Sequence, residues 1–213
     1  MGLRALKKEQ TRQLIADTAW RLFADRGFDN VTVAEIAREA QVAEATVFNY
    51  FPSKEDLFYS RFEAFSARLA DAVRDREPGE PALAAFRRAL LEEGGLLAEA
   101  EAGDQEALAR LRTVNRVIAE SPALLAREQQ AFARSAADLG TLLAAEAGAP
   151  RDDLRPQVVA NALLGLQRAV VDYVRGRVGS GASLDGLAAD VRKLTAEAFA
   201  LLEHGLAGYD VRA

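Results

Sequence analysis

The stretch that decides the fold is Gly27–Leu57, GFDNVTVAEIAREAQVAEATVFNYFPSKEDL. Within it, Thr32-Val33-Ala34-Glu35 has the pattern of a capping box. A threonine N-cap takes one otherwise unpaired backbone N–H, and a glutamate at the third helical position reaches back to the N-cap amide. The pattern predicts a short helix from Thr32 to about Ala40 with Ile36 and Ala37 inward. Gln41-Val42 then reads as a tight turn, and a second short helix runs from Glu44 to about Tyr50. Pro52-Ser53 stops that helix and starts the next, with Ser53 as N-cap and an acid at Asp56. Two short helices joined by a tight turn, with Ile36, Ala37, Ala40, Val42 and Val47 buried between them, make a helix-turn-helix. This packing leaves Glu44, Ala45, Phe48 and Asn49 facing outward. An outward phenylalanine needs a reason, and a DNA major groove supplies one, because thymine methyls and the groove wall suit an aromatic edge.

Upstream, Ile15, Ala19, Leu22 and Phe23 form one apolar stripe on a helix expected from about Glu9 to Arg26, with Gly27 just past its end. Trp20 lies off that stripe and is assigned to packing against a neighbouring helix. Downstream, the fourth helix runs to about Arg76, and longer helices follow at about 81–93, 103–120, 122–147, 153–178 and 184–207. The breaks fall at Pro78-Gly79, Pro81, Gly94-Gly95, Gly103, Pro122, Gly148–Pro150 and Gly179–Gly181. No segment alternates with a period of two, so the expected class is all-α. Helix 153–178 carries Leu163, Leu166 and Val170 on one stripe, with the small residues Ala162, Gly165 and Ala169 beside it. Helix 184–207 carries Leu187, Val191, Leu194, Leu201 and Leu202. Two such helices suggest a helix-pair surface, internal or in a dimer.

Composition narrows the function. The chain has 213 residues, no cysteine and a single histidine, His204. Disulfides, thiolate metal sites and cysteine nucleophiles are excluded, and a histidine-built metal centre is not expected. No stretch reaches the ~18 apolar residues of a membrane span. The polar, basic Met1–Gln10 does not read as a signal peptide, so the expected location is the cytoplasm. The net charge of −5 argues at first against a nucleic-acid binder, but it is unevenly spread. Residues 1–54 carry eight Lys/Arg against seven Asp/Glu, a net +1 that leaves −6 for the rest. Four of those basic residues, Arg4, Lys7, Lys8 and Arg12, form an N-terminal cluster, read either as a DNA-contacting arm or as a solvated tail.

The residues Gly27–Ala37, Ala40-Gln41-Val42 and Thr46–Leu57 resemble the N-terminal domain of the TetR family (TetR/AcrR type) of transcriptional regulators, over about residues 11–58. The resemblance implies a three-helix helix-turn-helix DNA-binding domain, placed at residues 1–54. It also implies a helical-bundle effector-binding and dimerisation domain, placed at 55–213. It places Thr32, Thr46, Tyr50 and Lys54 at the family's phosphate-contact positions and Glu44, Ala45, Phe48 and Asn49 against the base edges and groove wall. Three departures stand out. Gln41 occupies the usual turn glycine, Ala43 removes a frequent serine cap, and Phe48 lacks a frequent tyrosine hydroxyl. Glu44 either accepts from a cytosine amine or only complements the helix dipole.

The implied partners are operator DNA, a second copy of the chain and a small effector. The dimer is expected through the last two long helices, with Ala162, Gly165, Ala169, Leu194 and Leu201 at the interface. Candidate effector contacts are Phe86, Leu111, Asn115, Phe132, Leu163 and Gln167, together with Leu90 and Ile118. This set is mainly apolar and uncharged, which points to a hydrophobic effector; core amides satisfied by backbone or water are the plainer reading of Asn115 and Gln167. The expected function is a ligand-responsive repressor that binds a palindromic operator and is released by its effector, with no cofactor, no metal and no enzymatic activity. The alternative is a TetR-like helical scaffold that works through protein contacts without operator binding.

Overall fold

The computed structural model describes residues 3–92, 105–181 and 183–205. Among them are α1 (Leu3–Arg26), α2 (Val33–Glu39), α3 (Glu44–Tyr50), α4 (Lys54–Arg74), α5 (Ala82–Glu92), α6 (Gln105–Ala119), α7 (Pro122–Glu146), α8 (Arg155–Gly179) and α9 (Leu187–His204). No strand occurs among the described residues, and the fold is all-α. The expected breaks at Gly94-Gly95 and Gly103, and the expected end of the last helix at 207, lie outside the described residues.

Helix starts follow the capping chemistry. The Thr32 hydroxyl accepts from the Glu35 amide, and the Glu35 carboxylate accepts from the Thr32 N–H at 2.8 Å, which closes the capping box. The Ser53 hydroxyl accepts from the Asp56 amide at 3.0 Å at the start of α4. Before α8, the Asp153 carboxylate accepts from the Arg155 amide and guanidinium, and these bonds hold its pKa below the ordinary value. α3 begins at Ala43 with no side-chain cap.

The first helix departs from expectation. It begins at Leu3, not near Glu9, so the basic cluster is helical and not a loose arm. Residues 3–10, LRALKKEQ, are almost all strong helix formers with no breaker, and polarity alone does not unwind them.

The described chain divides into two compact units, one of residues 1–65 with 113–129, the other of 66–112 with 130–213. The first unit therefore reaches past residue 54 and recruits the corner between α6 and α7. Its core joins Ile15, Ala19, Leu22 and Phe23 of α1, Phe28 and Val31 of the following loop, Ile36, Ala37 and Ala40 of α2, and Val47 of α3. Phe51, Leu57, Tyr59, Val117, Ile118 and Leu124 complete it. The Trp20 ring packs 5.8 Å from that of Phe58, so the residue off the main stripe does pack against a neighbouring helix.

In the second unit, α8 packs against α9 and α5. At Gly140 a Cβ would collide with the Gln157 side chain, so the two helices that carry these residues approach closely there. Leu111, Leu184, Leu187 and Val191 form one apolar cluster of this unit.

Candidate nucleic-acid interface

The turn between α2 and α3 is made without glycine. Gln41 takes φ +56°, in the left-handed region where a side chain is strained, and Val42 N donates to Ala37 O at 2.9 Å to close the turn. The geometry seats Val47 in the core at 1% exposure and leaves Phe48, the next residue, 46% exposed. Glu44, Ala45 and Asn49 are also exposed, while Thr46 and Tyr50 are half-buried. Among the described residues no side-chain hydrogen bond or ion pair engages Glu44, Thr46 or Asn49. α3 thus carries an acid, an amide and an aromatic that are exposed, and a hydroxyl and a second aromatic at its margins, with polar groups that no described residue holds.

The remaining expected contacts fall differently. Thr32 is exposed, but its hydroxyl and amide serve the capping box. The ammonium of Lys54, expected beside a phosphate, is turned inward: Nζ donates to the carbonyl oxygens of Phe28 and Val31, each at 3.0 Å, and lies 4.1 Å from the centre of the Phe28 ring. Arg12 stacks on the Phe51 ring with Cζ 5.1 Å from its centre. Arg21 pairs with Glu39 at 2.8 Å and Arg26 with Glu35 at 3.4 Å. The Thr32 backbone and hydroxyl bonds, aided by Arg26, hold the Glu35 carboxyl below its ordinary range, and the Arg21 bond does the same for Glu39.

The α6–α7 corner is tied to this unit by polar contacts that local sequence patterns do not reveal. Arg127 pairs with Asp56 at 2.6 Å, and the Tyr59 hydroxyl donates to Leu124 O at 3.0 Å. The Ser121 hydroxyl donates to Asp29 Oδ1 at 3.1 Å, and Arg116 Nη2 donates to Ala24 O at 3.1 Å. The pairs are 65 to 92 residues apart in the chain, beyond the reach of any helical or capping periodicity.

In the second unit, Phe86, Leu111, Phe132, Leu163 and Gln167 are all buried. Asn115 is buried too, but belongs with Ile118 to the first unit. Gln167 is 1% exposed, and among the described residues neither its amide nitrogen nor its oxygen finds a hydrogen-bond partner; the hydroxyl of Ser66 finds none among them either. A groove of roughly 590 Å³ lies elsewhere in this unit, lined by Arg76, Leu143, Glu146, Pro150, Asp153 and Val159 among others, and none of the expected effector residues faces it. The expected dimer residues are accessible: Gly165 and Ala169 are exposed, Leu194 is 41% exposed, and Ala162 and Leu201 are partly covered. Val158, one turn before Ala162, is 62% exposed. A Cβ at Gly165 would meet nothing within 4 Å.

Comparison with known proteins decides the family. Residues 15–60 match the family model for bacterial regulatory proteins of the TetR family, and residues 80–207 match the MftR C-terminal domain. This chain belongs to the TetR family. It is similar to a Mycobacterium tuberculosis protein described as a mycofactocin biosynthesis transcriptional regulator, MftR, with 29% identity over 78% of this chain and 81% of the relative. It is also similar to the transcriptional regulator TcmR of Streptomyces glaucescens, at 27% identity over 79% of this chain and 75% of that one. Among solved structures, NalD, the secondary repressor of the MexAB-OprM multidrug efflux pump in Pseudomonas aeruginosa, shares the fold at a TM-score of 0.52 and 18% identity, covering 89% of this chain and 97% of its own. SmeT, in a complex with triclosan, does so at a TM-score of 0.53 and 19% identity, covering 90% and 89%. The chain is a TetR-family, DNA-binding transcriptional regulator, and no enzymatic family is indicated. Among the described residues no helix is long and apolar enough to cross a membrane, and no group of three or more His, Asp or Glu side chains could hold a metal.

Proposed function

We propose that this protein is a ligand-responsive repressor that binds a palindromic operator as a homodimer and is released by a small apolar effector. The observation that carries the reading is the contrast on α3 between Val47, sealed in the core, and Phe48, exposed beside the uncommitted side chains of Glu44, Thr46 and Asn49. In this reading Glu44, Ala45, Phe48 and Asn49 meet base edges and the groove wall, while Thr32, Thr46 and Tyr50 lie along the phosphates. Two copies pair through the exposed small-residue strip of α8 (Ala162, Gly165, Ala169) and through Leu194 and Leu201 of α9. The pairing holds two recognition helices one DNA turn, roughly 34–36 Å, apart. The effector occupies the core of the second unit, where the unpaired amide of Gln167 supplies the polar contact among Phe86, Leu111, Phe132 and Leu163. The complex of SmeT with triclosan supports a small apolar ligand. A hundredfold release from DNA requires about 2.7 kcal/mol of coupling between effector and operator.

The test is selection of duplexes from a random-sequence library followed by an electrophoretic mobility shift. Enrichment of an inverted repeat bound by one dimer supports the reading. Failure to enrich any sequence at moderate salt rejects it.

A further inference from the structure

We propose that Lys54 is a positioning residue for operator binding: its ammonium clamps the loop between α1 and α2 and so sets how the helix-turn-helix is held against α4. The proposal rests on the operator-binding reading above but concerns a residue that need not touch DNA.

The geometry is specific. Lys54 is the first residue of α4, and it bridges back 23 and 26 residues to the carbonyls of Val31 and Phe28. Those two carbonyls bracket the loop that enters α2, and the same ammonium lies over the face of the Phe28 ring at 4.1 Å. Phe28 is in turn packed at 5.0 Å on Phe23 of α1 and at 5.9 Å on Phe58 of α4. One cation therefore joins the loop backbone, an aromatic cluster shared by α1 and α4, and the first turn of α4. Two carbonyls and a ring face suit a compact ammonium with several rotatable donors. The flat, wide guanidinium of arginine does not fit that arrangement. The other side of the loop is held by Ser121, whose hydroxyl donates to Asp29. Without Lys54 the loop loses its bridge to the first turn of α4, and the α2–α3 pair is free to tilt relative to α4. With two of its three donors committed to protein carbonyls, Lys54 contributes geometry more than counterion release.

The experiment compares wild type, Lys54→Met and Lys54→Arg on the palindromic duplex that the wild-type protein enriches, at a temperature where circular dichroism shows all three folded. Affinity is measured across a salt series, and amide hydrogen exchange is followed over residues 28–33. The expected result is at least a tenfold loss of operator affinity for Lys54→Met, an unchanged salt slope, no rescue by Lys54→Arg, and faster exchange over 28–33 in both variants. A salt slope smaller by about 0.9, with rescue by arginine, makes Lys54 an ordinary phosphate contact and overturns the proposal. Unchanged operator affinity in folded Lys54→Met, or unchanged exchange over 28–33, overturns it as well. If the wild type enriches no duplex, the operator reading itself fails, which is a different outcome from a wild type that binds and a variant that binds equally well.

Discussion

Arg127 and Asp56 form an ion pair at 2.6 Å in which the arginine side chain is only 8% exposed and the carboxylate 23%. Asp56 stands in the first turn of α4 and Arg127 in the first turns of α7, so a residue outside the helix-turn-helix is built into the DNA-binding unit. Removing one partner of a largely buried pair leaves the other desolvated and unmatched, at a cost of about 3 kcal/mol. Arg127→Ala should lower stability by that amount in urea unfolding. A loss under about 1 kcal/mol would mean that the pair is solvated in practice. A fragment ending at residue 54, which lacks Leu57, Val117, Ile118 and Leu124 of its own core, should fail to fold cooperatively.

Gln41 at φ +56° predicts a gain on substitution. Gln41→Gly removes side-chain strain of about 1 kcal/mol or more, offset in part by the extra freedom glycine gives the unfolded chain. A net stabilisation of about 0.5 kcal/mol is expected, and Gln41→Ile should cost at least about 1 kcal/mol because a β-branched side chain resists this region. Equal stability of the glycine and isoleucine variants in urea would contradict the assignment.

The capping box carries a pH signature. The folded protein holds the Glu35 carboxyl below its ordinary 4.5, chiefly through the Thr32 backbone bond. The carboxylate's contribution is therefore fully present above pH 4.5 and is lost as pH falls through the lowered folded value. Glu35→Gln keeps the acceptor and removes the charge. The stability difference between wild type and Glu35→Gln should be present at pH 6 and shrink progressively as the pH is lowered below 4.5, read by denaturant unfolding across that range. A difference that grows on acidification would reverse the sign.

Gln167 separates an unpaired amide from a satisfied one. A buried amide with both atoms unpaired costs free energy that an apolar side chain of similar size does not. Gln167→Met should therefore raise the melting temperature of the ligand-free protein while weakening its response to effector. A lower melting temperature would mean that the amide has a structural partner, such as an internal water.

Much of this arrangement was legible from local patterns because its determinants are local. Thr32 and Glu35, or Ser53 and Asp56, are three residues apart and need only a helix start to find each other. The inward Val47 and outward Phe48 follow from helix geometry once α2 is placed. What local patterns miss is long-range. The inward turn of Lys54 depends on two carbonyls 23 and 26 residues away, and the recruitment of 113–129 depends on pairs such as Ser121 with Asp29, 92 residues apart. A basic residue carries no mark of which acceptor it will choose. The early start of α1 at Leu3 was obscured by polarity, because a surface helix needs good helix formers more than an apolar stripe.

In the proposed function α3 reads DNA through Phe48 and its exposed neighbours. The most direct measurement is operator affinity of wild type and Phe48→Ala on the enriched palindrome, with thymine replaced by uracil at each position in turn. Phe48 is 46% exposed, so the substitution should leave stability within about 0.5 kcal/mol. Under this reading Phe48→Ala loses at least tenfold in affinity. Uracil in each half-site then carries a penalty that the wild type suffers and the variant does not. Equal affinity of the two proteins, with the same uracil penalties in both, would contradict it.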